Sequence, residues 1–346
     1  MKFITVVGAR PNFVKIAPLV KYLPDNIIVH TGQHYDYNMS KVFFEGMDIP
    51  EPTYNLNVGS GTHTEQTSTI MSLFEPICVK EKPDIVIVVG DVNSTLACSL
   101  VVSKMDNVKL AHIESGERSF DRSMPEEINR VITDHISDYL FCSTKDAMYN
   151  LLHEGISNDK IYHVGNIVID NIVKYKDIID NTIKPSPQHT LFTLHRPFNT
   201  DNREQLKNIL QCINELENAN ILFPIHPRTR AKIDKYGLQE HTSNMKVIEP
   251  LNYLEFITSL KNAKCMITDS GGIQVESAYF GVPCITLRDN TEHIFTLKSG
   301  VNVLVGSDIE KIQSEFYKSI KIKKRIYDSL WDGKVSERIK EILINV

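Results

Sequence analysis

The chain has no apolar run near the ~20 residues that a membrane-crossing helix needs, so a simple spanning protein is excluded. No block of like charge interrupts its 346 residues, and the formal net charge is -5. A nucleic acid or an anionic membrane surface calls for a concentrated basic face, so neither partner is expected. Six cysteines stand at 78, 98, 142, 212, 265 and 284. None forms a C-x-x-C pair and most lie inside apolar runs, which excludes a disulfide frame or a zinc site and fits a reducing compartment. The opening residues MKFITVVGARP are too short and too strand-like for a signal peptide, so the expected location is cytoplasmic. His30 and His34 are four apart, but a strand end and Gly32 separate them. No H-E-x-x-H, G-x-S-x-G elbow, P-loop or G-x-G-x-x-G is present. No metal and no cofactor are therefore expected, and no repeat or low-complexity segment appears.

What is present is an ordinary globular composition, 42% hydrophobic and 23% charged, with room for two α/β domains. Short apolar runs rich in β-branched residues read as strands at Phe3–Val7, Ile27–His30, Ile85–Val89, Lys109–His112 and Tyr139–Cys142. Helical patterns fill the intervals near Phe13–Leu23, Thr64–Lys80, Thr95–Lys104, Pro125–Ile136 and Lys145–Glu154. The alternation restarts at Leu191–Leu194, Ile221–Ile225, Met245–Ile248, Cys265–Thr268, Cys284–Leu287 and Val301–Val305. Strand–helix alternation implies mostly parallel sheets covered on both faces. The expected architecture is α/β, with two doubly wound Rossmann-like domains facing a cleft. The expected domains are 1–170 and 171–334, with polar Thr182–His189 near the boundary. The amphipathic segment 335–346 is expected to pack back on the first domain.

In open sheets of this kind ligands bind beyond the carboxyl ends of the strands. Asp269-Ser270-Gly271-Gly272 lies between a strand and a helix. Its glycines allow close backbone approach, and the helix N-terminus favours an anion. Glu276 lies one turn further on, where a carboxylate suits a ribose diol. After the first strand, Gly8, Arg10 and Lys15 suit a phosphate. Asp91, Glu114 and Glu126 follow separate elements at one end of one sheet. Converging carboxylates raise one another's pKa and are expensive unless they work. Glu126 and Glu127 also suit the first turn of a helix, so one of the two is expected to be a cap. In the second half, strands end in His195-Arg196 and in His226-Pro227-Arg228.

Taken together, these motifs resemble the non-hydrolysing UDP-N-acetylglucosamine 2-epimerases, whose fold is glycosyltransferase-B. The carriers are GARPNFVKIAPL (8–19), TGQHYD (31–36), GDVNSTLA (90–97), HIESGERSFDRSMPEEINR (112–130), VGN (164–166), TLHRPFN (193–199), HPRTR (226–230), DSGGIQVES (269–277) and GVPCITLRDNTE (281–292). The resemblance implies inversion at C2 of a UDP-linked sugar by elimination and re-addition of UDP, with the product UDP-N-acetylmannosamine. It implies acid/base work at Asp91, Glu114 and Glu126. His195 would support C1–O cleavage and the pyrophosphate, with Arg10, Lys15 and His226. Arg118 and Arg228 join these as UDP-sugar contacts, Ser270, Gly271 and Gly272 hold the phosphates, and Glu276 holds the ribose. A homodimer is also implied. The alternatives are a C2 epimerase of a related UDP-diacetamido sugar and a glycosyltransferase of the same fold.

Three departures from that family stand out. The chain has Glu292-His293-Ile294 for the usual Glu-Arg-Pro, and Gln274-Val275-Glu276 for Gln-Glu-Glu. It has His195-Arg196-Pro197-Phe198 where bacterial members carry a polar pair after His-Arg, beside the site for a second, activating UDP-sugar. Weak or absent activation is therefore expected.

Overall fold

Continuous apolar runs such as Phe3–Val7, Ile85–Val89 and Cys265–Thr268 become strands buried from end to end, as central parallel strands covered on both faces must be. In the first half the strands are β1 (Phe3–Val7), β2 (Asn26–His30), β3 (Tyr54–Asn55), β4 (Ile85–Val89), β5 (Lys109–Ser115), β6 (Tyr139–Cys142) and β7 (Ile161–His163). In the second half they are β8 (Thr190–Thr193), β9 (Ile221–Pro224), β10 (Lys246–Ile248), β11 (Cys265–Thr268), β12 (Cys284–Thr286) and β13 (Asn302–Leu304). The computed structural model describes residues 1–32, 49–182, 189–320 and 328–345, without the Arg10 side chain. Most of the TGQHYD motif (31–36), with Gln33 and His34, and most of the Thr182–His189 segment lie outside the described residues.

The chain divides into two compact units, Met1–Lys174 with Asp328–Val346, and Tyr175–Tyr327. The division falls four residues after the expected 170/171 and seven before the expected 334/335. The last helix, Val335–Ile344, belongs to the first unit. Asp170 fixes it there by accepting the Val335 and Ser336 N–H groups at 3.0 and 2.7 Å. A carboxylate at a helix N-terminus satisfies donors that have no partner inside the helix.

The first unit holds a seven-stranded sheet in the order β3-β2-β1-β4-β5-β6-β7, and the second a six-stranded sheet in the order β10-β9-β8-β11-β12-β13. All the strand pairs are parallel. The strand order of each sheet reverses once, at β1/β4 in the first and at β8/β11 in the second. That reversal opens a crevice at the carboxyl ends of the two central strands. The cores of both units consist of aliphatic and aromatic side chains from strands and helices, among them Ile4, Val88 and Phe74 in one and Phe192, Phe223 and Phe316 in the other. No helix among the described residues is long and apolar enough to cross a membrane.

Candidate active site

In the first unit, Gly8 and Ala9 follow β1, and the helix Arg10–Ile16 begins at once with Pro11 in its first turn. Asn12 joins this turn to the neighbouring strand. Its Oδ1 accepts from the Gly8 and Ala9 N–H groups at 3.2 and 2.9 Å, and its Nδ2 donates to the Val89 carbonyl at 3.1 Å. Lys15, on the same helix, is paired with Glu114 across the sheet reversal.

Glu114 owes its position to a break in β5. The register with β6 shifts between Ile113 and Ser115, and Glu114 sits at φ 72°. That left-handed conformation is costly for a residue with a Cβ, and it turns the carboxylate out of the strand's alternation. Gly90, the residue after β4, also has a positive φ of 69°. A Cβ there would lie 3.3 Å from Lys15 Nζ and 3.5 Å from Glu114 Oε2. The turn that carries Asp91 therefore packs directly on the Lys15–Glu114 pair.

The helix Pro125–Ile136 starts where its proline predicts, with Glu126 and Glu127 in the first turn. The two acids have different tasks. Glu127 is buried and accepts from Ser119 N–H, Ser119 Oγ and Phe120 N–H, each at 2.9 Å, and from Arg130 Nη1 at 2.6 Å. Glu127 is thus the structural carboxylate of the pair, while Glu126 is half-buried beside it. Arg130 uses its other amino nitrogen on Asp91 Oδ2 at 2.6 Å, and Asn129 donates to the Asp91 carbonyl at 2.8 Å. Asp91 and Glu114 are thereby held at one corner, each against a cation.

Arg118 does not take the substrate role assigned to it above. Its side chain is 1% exposed and is used up internally. It donates to Glu154 from Nε and Nη2 at 2.8 and 2.7 Å, to Asp134 at 2.7 Å, and to the Glu117 carbonyl at 2.8 Å. A guanidinium buried this deeply must be paired wherever it lies, and Asp134 and Glu154 supply that pairing. Asp134 also accepts from Gly116 N–H at 3.0 Å and meets His112 Nδ1 at 2.6 Å. Burial alone raises the Asp134 carboxyl, but His112 and Arg118 outweigh it and hold the group below its usual range.

In the second unit, the strand ends at the sheet reversal are tied by Asp269. This carboxylate follows β11 and has no solvent exposure. It accepts from the backbone N–H groups of His195 (3.0 Å to Oδ2) and Arg196 (2.8 Å), which follow β8, and from Asn199 Nδ2 at 3.2 Å. It also meets His195 Nδ1 at 3.1 Å. Burial raises the Asp269 carboxyl, but these bonds outweigh it and keep the carboxylate charged. The Nδ1 proton of His195 is therefore fixed toward Asp269, which leaves Nε2 as the working nitrogen. The His226 ring lies 5.5 Å from that of His195. Its Nδ1 accepts from Arg228 N–H at 3.1 Å, so Nε2 carries the proton of the neutral ring. The Arg228 guanidinium itself is bound to Asp201 at 2.7 and 2.8 Å.

Ser270, Gly271 and Gly272 lead into the helix Gly272–Phe280. At Gly271 a Cβ would collide with the Glu292 carboxylate, which is itself paired with Arg288 at 2.8 Å. At Gly272 no heavy atom lies within 4 Å of the Cβ position, so that side of the turn is open. Gln274 N–H bonds to the Gly271 carbonyl at 3.0 Å, and the helix N-terminus ahead of it suits an anion. Glu276, one turn in, is buried, and desolvation pushes its carboxyl up to about 8, with Tyr253 partly offsetting this. Gln274, beside the departure at Val275, accepts from Thr291 Oγ1 at 2.7 Å and Asn302 Nδ2 at 2.8 Å and so braces the helix from inside.

Within each unit the structure thus gathers the expected groups at one sheet reversal: Lys15, Asp91, Glu114 and Glu126 in the first, His195, His226, Ser270–Gly272 and Glu276 in the second. Asp269, Arg130 and the His112–Asp134 pair were not anticipated as site residues.

The sequence profile of the UDP-N-acetylglucosamine 2-epimerase family matches residues 23–344. The chain belongs to that family. Among curated members, UDP-N-acetylglucosamine 2-epimerase of Methanocaldococcus jannaschii is 44% identical, with 99% of each chain covered. UDP-2,3-diacetamido-2,3-dideoxy-D-glucuronate 2-epimerase of Pseudomonas aeruginosa is 42% identical, again with 99% of each covered. A crystal structure of the M. jannaschii UDP-GlcNAc 2-epimerase in complex with UDP-GlcNAc and UDP superposes at a TM-score of 0.92, with 44% identity and all of both chains covered. A lipopolysaccharide outer core galactosyltransferase shares the fold alone, at 13% identity and a TM-score of 0.52. Like other 2-epimerase family members, the chain is an isomerase with two parallel-sheet α/β domains of glycosyltransferase-B type.

Proposed function

We propose that the chain interconverts UDP-N-acetylglucosamine and UDP-N-acetylmannosamine by inverting C2 of the sugar. The observation that carries this reading is the corner formed by Asp91 and Glu114, each held against a cation at the reversal of the first sheet. Inversion at C2 takes a proton from one face and returns one to the other, so it needs acid/base groups at both. In the elimination step the C2 proton goes to a carboxylate, the electron pair forms the C1–C2 double bond, and UDP leaves from C1. In re-addition a proton is delivered to the opposite face of C2, and UDP returns to C1 on the face it left. Asp91, Glu114 and Glu126 supply the proton traffic.

The departing UDP carries negative charge that must be held for its return. The N-terminus of the helix Gly272–Phe280 takes phosphate oxygens, and Glu276 faces the ribose hydroxyls. His195, oriented by Asp269, donates toward the leaving oxygen through Nε2, and His226 assists through its own Nε2–H. Lys15 and Arg10 add positive charge from the first unit.

One observation favours a second reading. The relative that acts on the diacetamido glucuronate is nearly as similar, at 42%, as the one named for UDP-N-acetylglucosamine, at 44%. The test is a direct comparison of initial rates on the two UDP-sugars, with products identified by NMR. A higher kcat/KM on UDP-N-acetylglucosamine supports the first reading. Turnover confined to the diacetamido uronate replaces it with the second, and hydrolysis or transfer to an acceptor refutes both.

A further inference from the structure

His112 lies in β5 with no solvent exposure, two residues before Glu114. Its Nε2 is 2.8 Å from the carbonyl oxygen of Gly90, the residue before Asp91. Its Nδ1 is 2.6 Å from Asp134 Oδ1. A backbone carbonyl can only accept. Asp134 is itself occupied as an acceptor by Gly116 N–H at 3.0 Å and by the Arg118 guanidinium at 2.7 Å. Both ring nitrogens therefore face acceptors: Nε2–H donates to the Gly90 carbonyl, and Nδ1 lies against Asp134. The other charged groups nearby are Glu154, paired with Arg118, and the Lys15–Glu114 pair against Gly90.

The consequence reaches the two carboxylates from opposite sides. Gly90 has a positive φ, and its N–H donates to the Ile113 carbonyl at 3.1 Å. With its carbonyl held by His112, the peptide units on both sides of Gly90 are bound to β5. Asp91 follows directly, and the Gly90 Cα packs on Glu114. A rotation of this turn would displace Asp91 relative to Glu114 without touching the nucleotide-binding unit.

We infer that His112 is a positioning residue for the epimerisation: buried and held between Asp134 and the Gly90 carbonyl, it fixes the Gly90–Asp91 turn against Glu114. The inference rests on the epimerase reading for its kinetic arm and is independent of it for its structural arm. Two substitutions separate the two hydrogen bonds. Asparagine places an amide near the Nδ1 position and keeps the link to Asp134, whereas glutamine reaches the Nε2 position and keeps the link to Gly90.

The kinetic expectation is that His112→Asn lowers kcat by roughly 10–100-fold, since a displacement of about 1 Å in a reacting group has that effect. KM should stay within about threefold, because only a transition-state interaction is lost. His112→Gln should recover most of kcat. Rates are taken per folded molecule, with the folded fraction read from thermal unfolding. The structural arm is 15N NMR of the histidine-labelled wild-type protein, which should show His112 Nε2 bonded to hydrogen. An Nε2 without hydrogen overturns the inference whether or not the protein turns over UDP-sugars. So does a His112→Asn variant with wild-type kcat per folded molecule, or one whose loss lies in KM. Absence of epimerisation by the wild type would refute the epimerase reading and leave the NMR result to decide the clamping of Gly90 by His112.

Discussion

Arg130 donates to Asp91 Oδ2 at 2.6 Å from one amino nitrogen. The other nitrogen holds Glu127 at the same distance. One guanidinium thus orients a carboxylate to which we assign acid/base work and anchors another that shapes the helix start. That division separates the acids of the first unit into working and structural groups.

Asp91→Asn, Glu114→Gln and Glu126→Gln are each expected to lower kcat by roughly 10²–10⁴, the range for loss of a general acid or base. UDP affinity should change little, because these groups face the sugar. Glu127→Gln should act on stability instead, since it weakens a buried ion pair and its supporting bonds. Steady-state kinetics beside thermal unfolding distinguishes the two classes. Full activity in Glu126→Gln would move its role elsewhere.

Arg118→Ala is expected to destabilise the fold by about 3–5 kcal/mol, as removal of one member of a buried pair does. It leaves Asp134 and Glu154 without their shared cation. Titration calorimetry on the folded fraction should show UDP binding unchanged. Lost UDP affinity with normal stability would restore Arg118 as a ligand contact.

Glu276 gives a pH dependence with a definite sign. Its carboxyl is raised from 4.5 to about 8 in the folded state. Between these values the folded protein binds a proton that the unfolded chain has released, so this group makes stability fall as pH rises through that window and adds no slope above it. Glu276→Gln should remove this part of the slope in denaturant unfolding from pH 5 to pH 8. It should also weaken UDP binding by roughly 3–10-fold, through hydrogen bonds to the ribose that the amide does not reproduce. An unchanged slope would show that Glu276 does not titrate as described.

Activation by a second UDP-sugar is expected to be weak or absent. Pro197 opens the short helix Pro197–Thr200 and has no N–H, and Phe198 is exposed and uncharged. An anionic activator loses partners at both positions. The initial rate from UDP-N-acetylmannosamine should therefore be nearly independent of trace UDP-N-acetylglucosamine, whereas an absolute requirement would show that the activator site survives.

Much of this arrangement is legible before any coordinates. Phe3–Val7, Ile85–Val89 and Cys265–Thr268 are strands to the residue, because burial on both faces makes them apolar without interruption. Pro125 marks the start of its helix as clearly. Boundaries fail where polar residues stay inside an element: β5 runs on to Ser115 through the bulge at Glu114, although His112 looks like its end. The helix expected over Phe13–Leu23 instead spans Arg10–Ile16, since Pro11 is suited to a first turn and not to a loop. β7 was not anticipated, because three residues reading Ile-Tyr-His carry no periodicity. At the site, residue type and strand-end position point to Asp91, Glu114 and His195, whose roles stand as proposed above. The resemblance implied a UDP-sugar contact at Arg118, whose partners lie 16 and 36 residues further along the chain. Asp269 and His112 read as a turn former and a strand residue until their contacts are known.

The central claim is proton exchange at C2 of a UDP-linked sugar, and it is tested most directly by proton NMR of the purified protein with UDP-N-acetylglucosamine in D2O. The account predicts UDP-N-acetylmannosamine, with solvent deuterium entering C2 as the two sugars interconvert. Epimerisation with the C2 proton retained would contradict it.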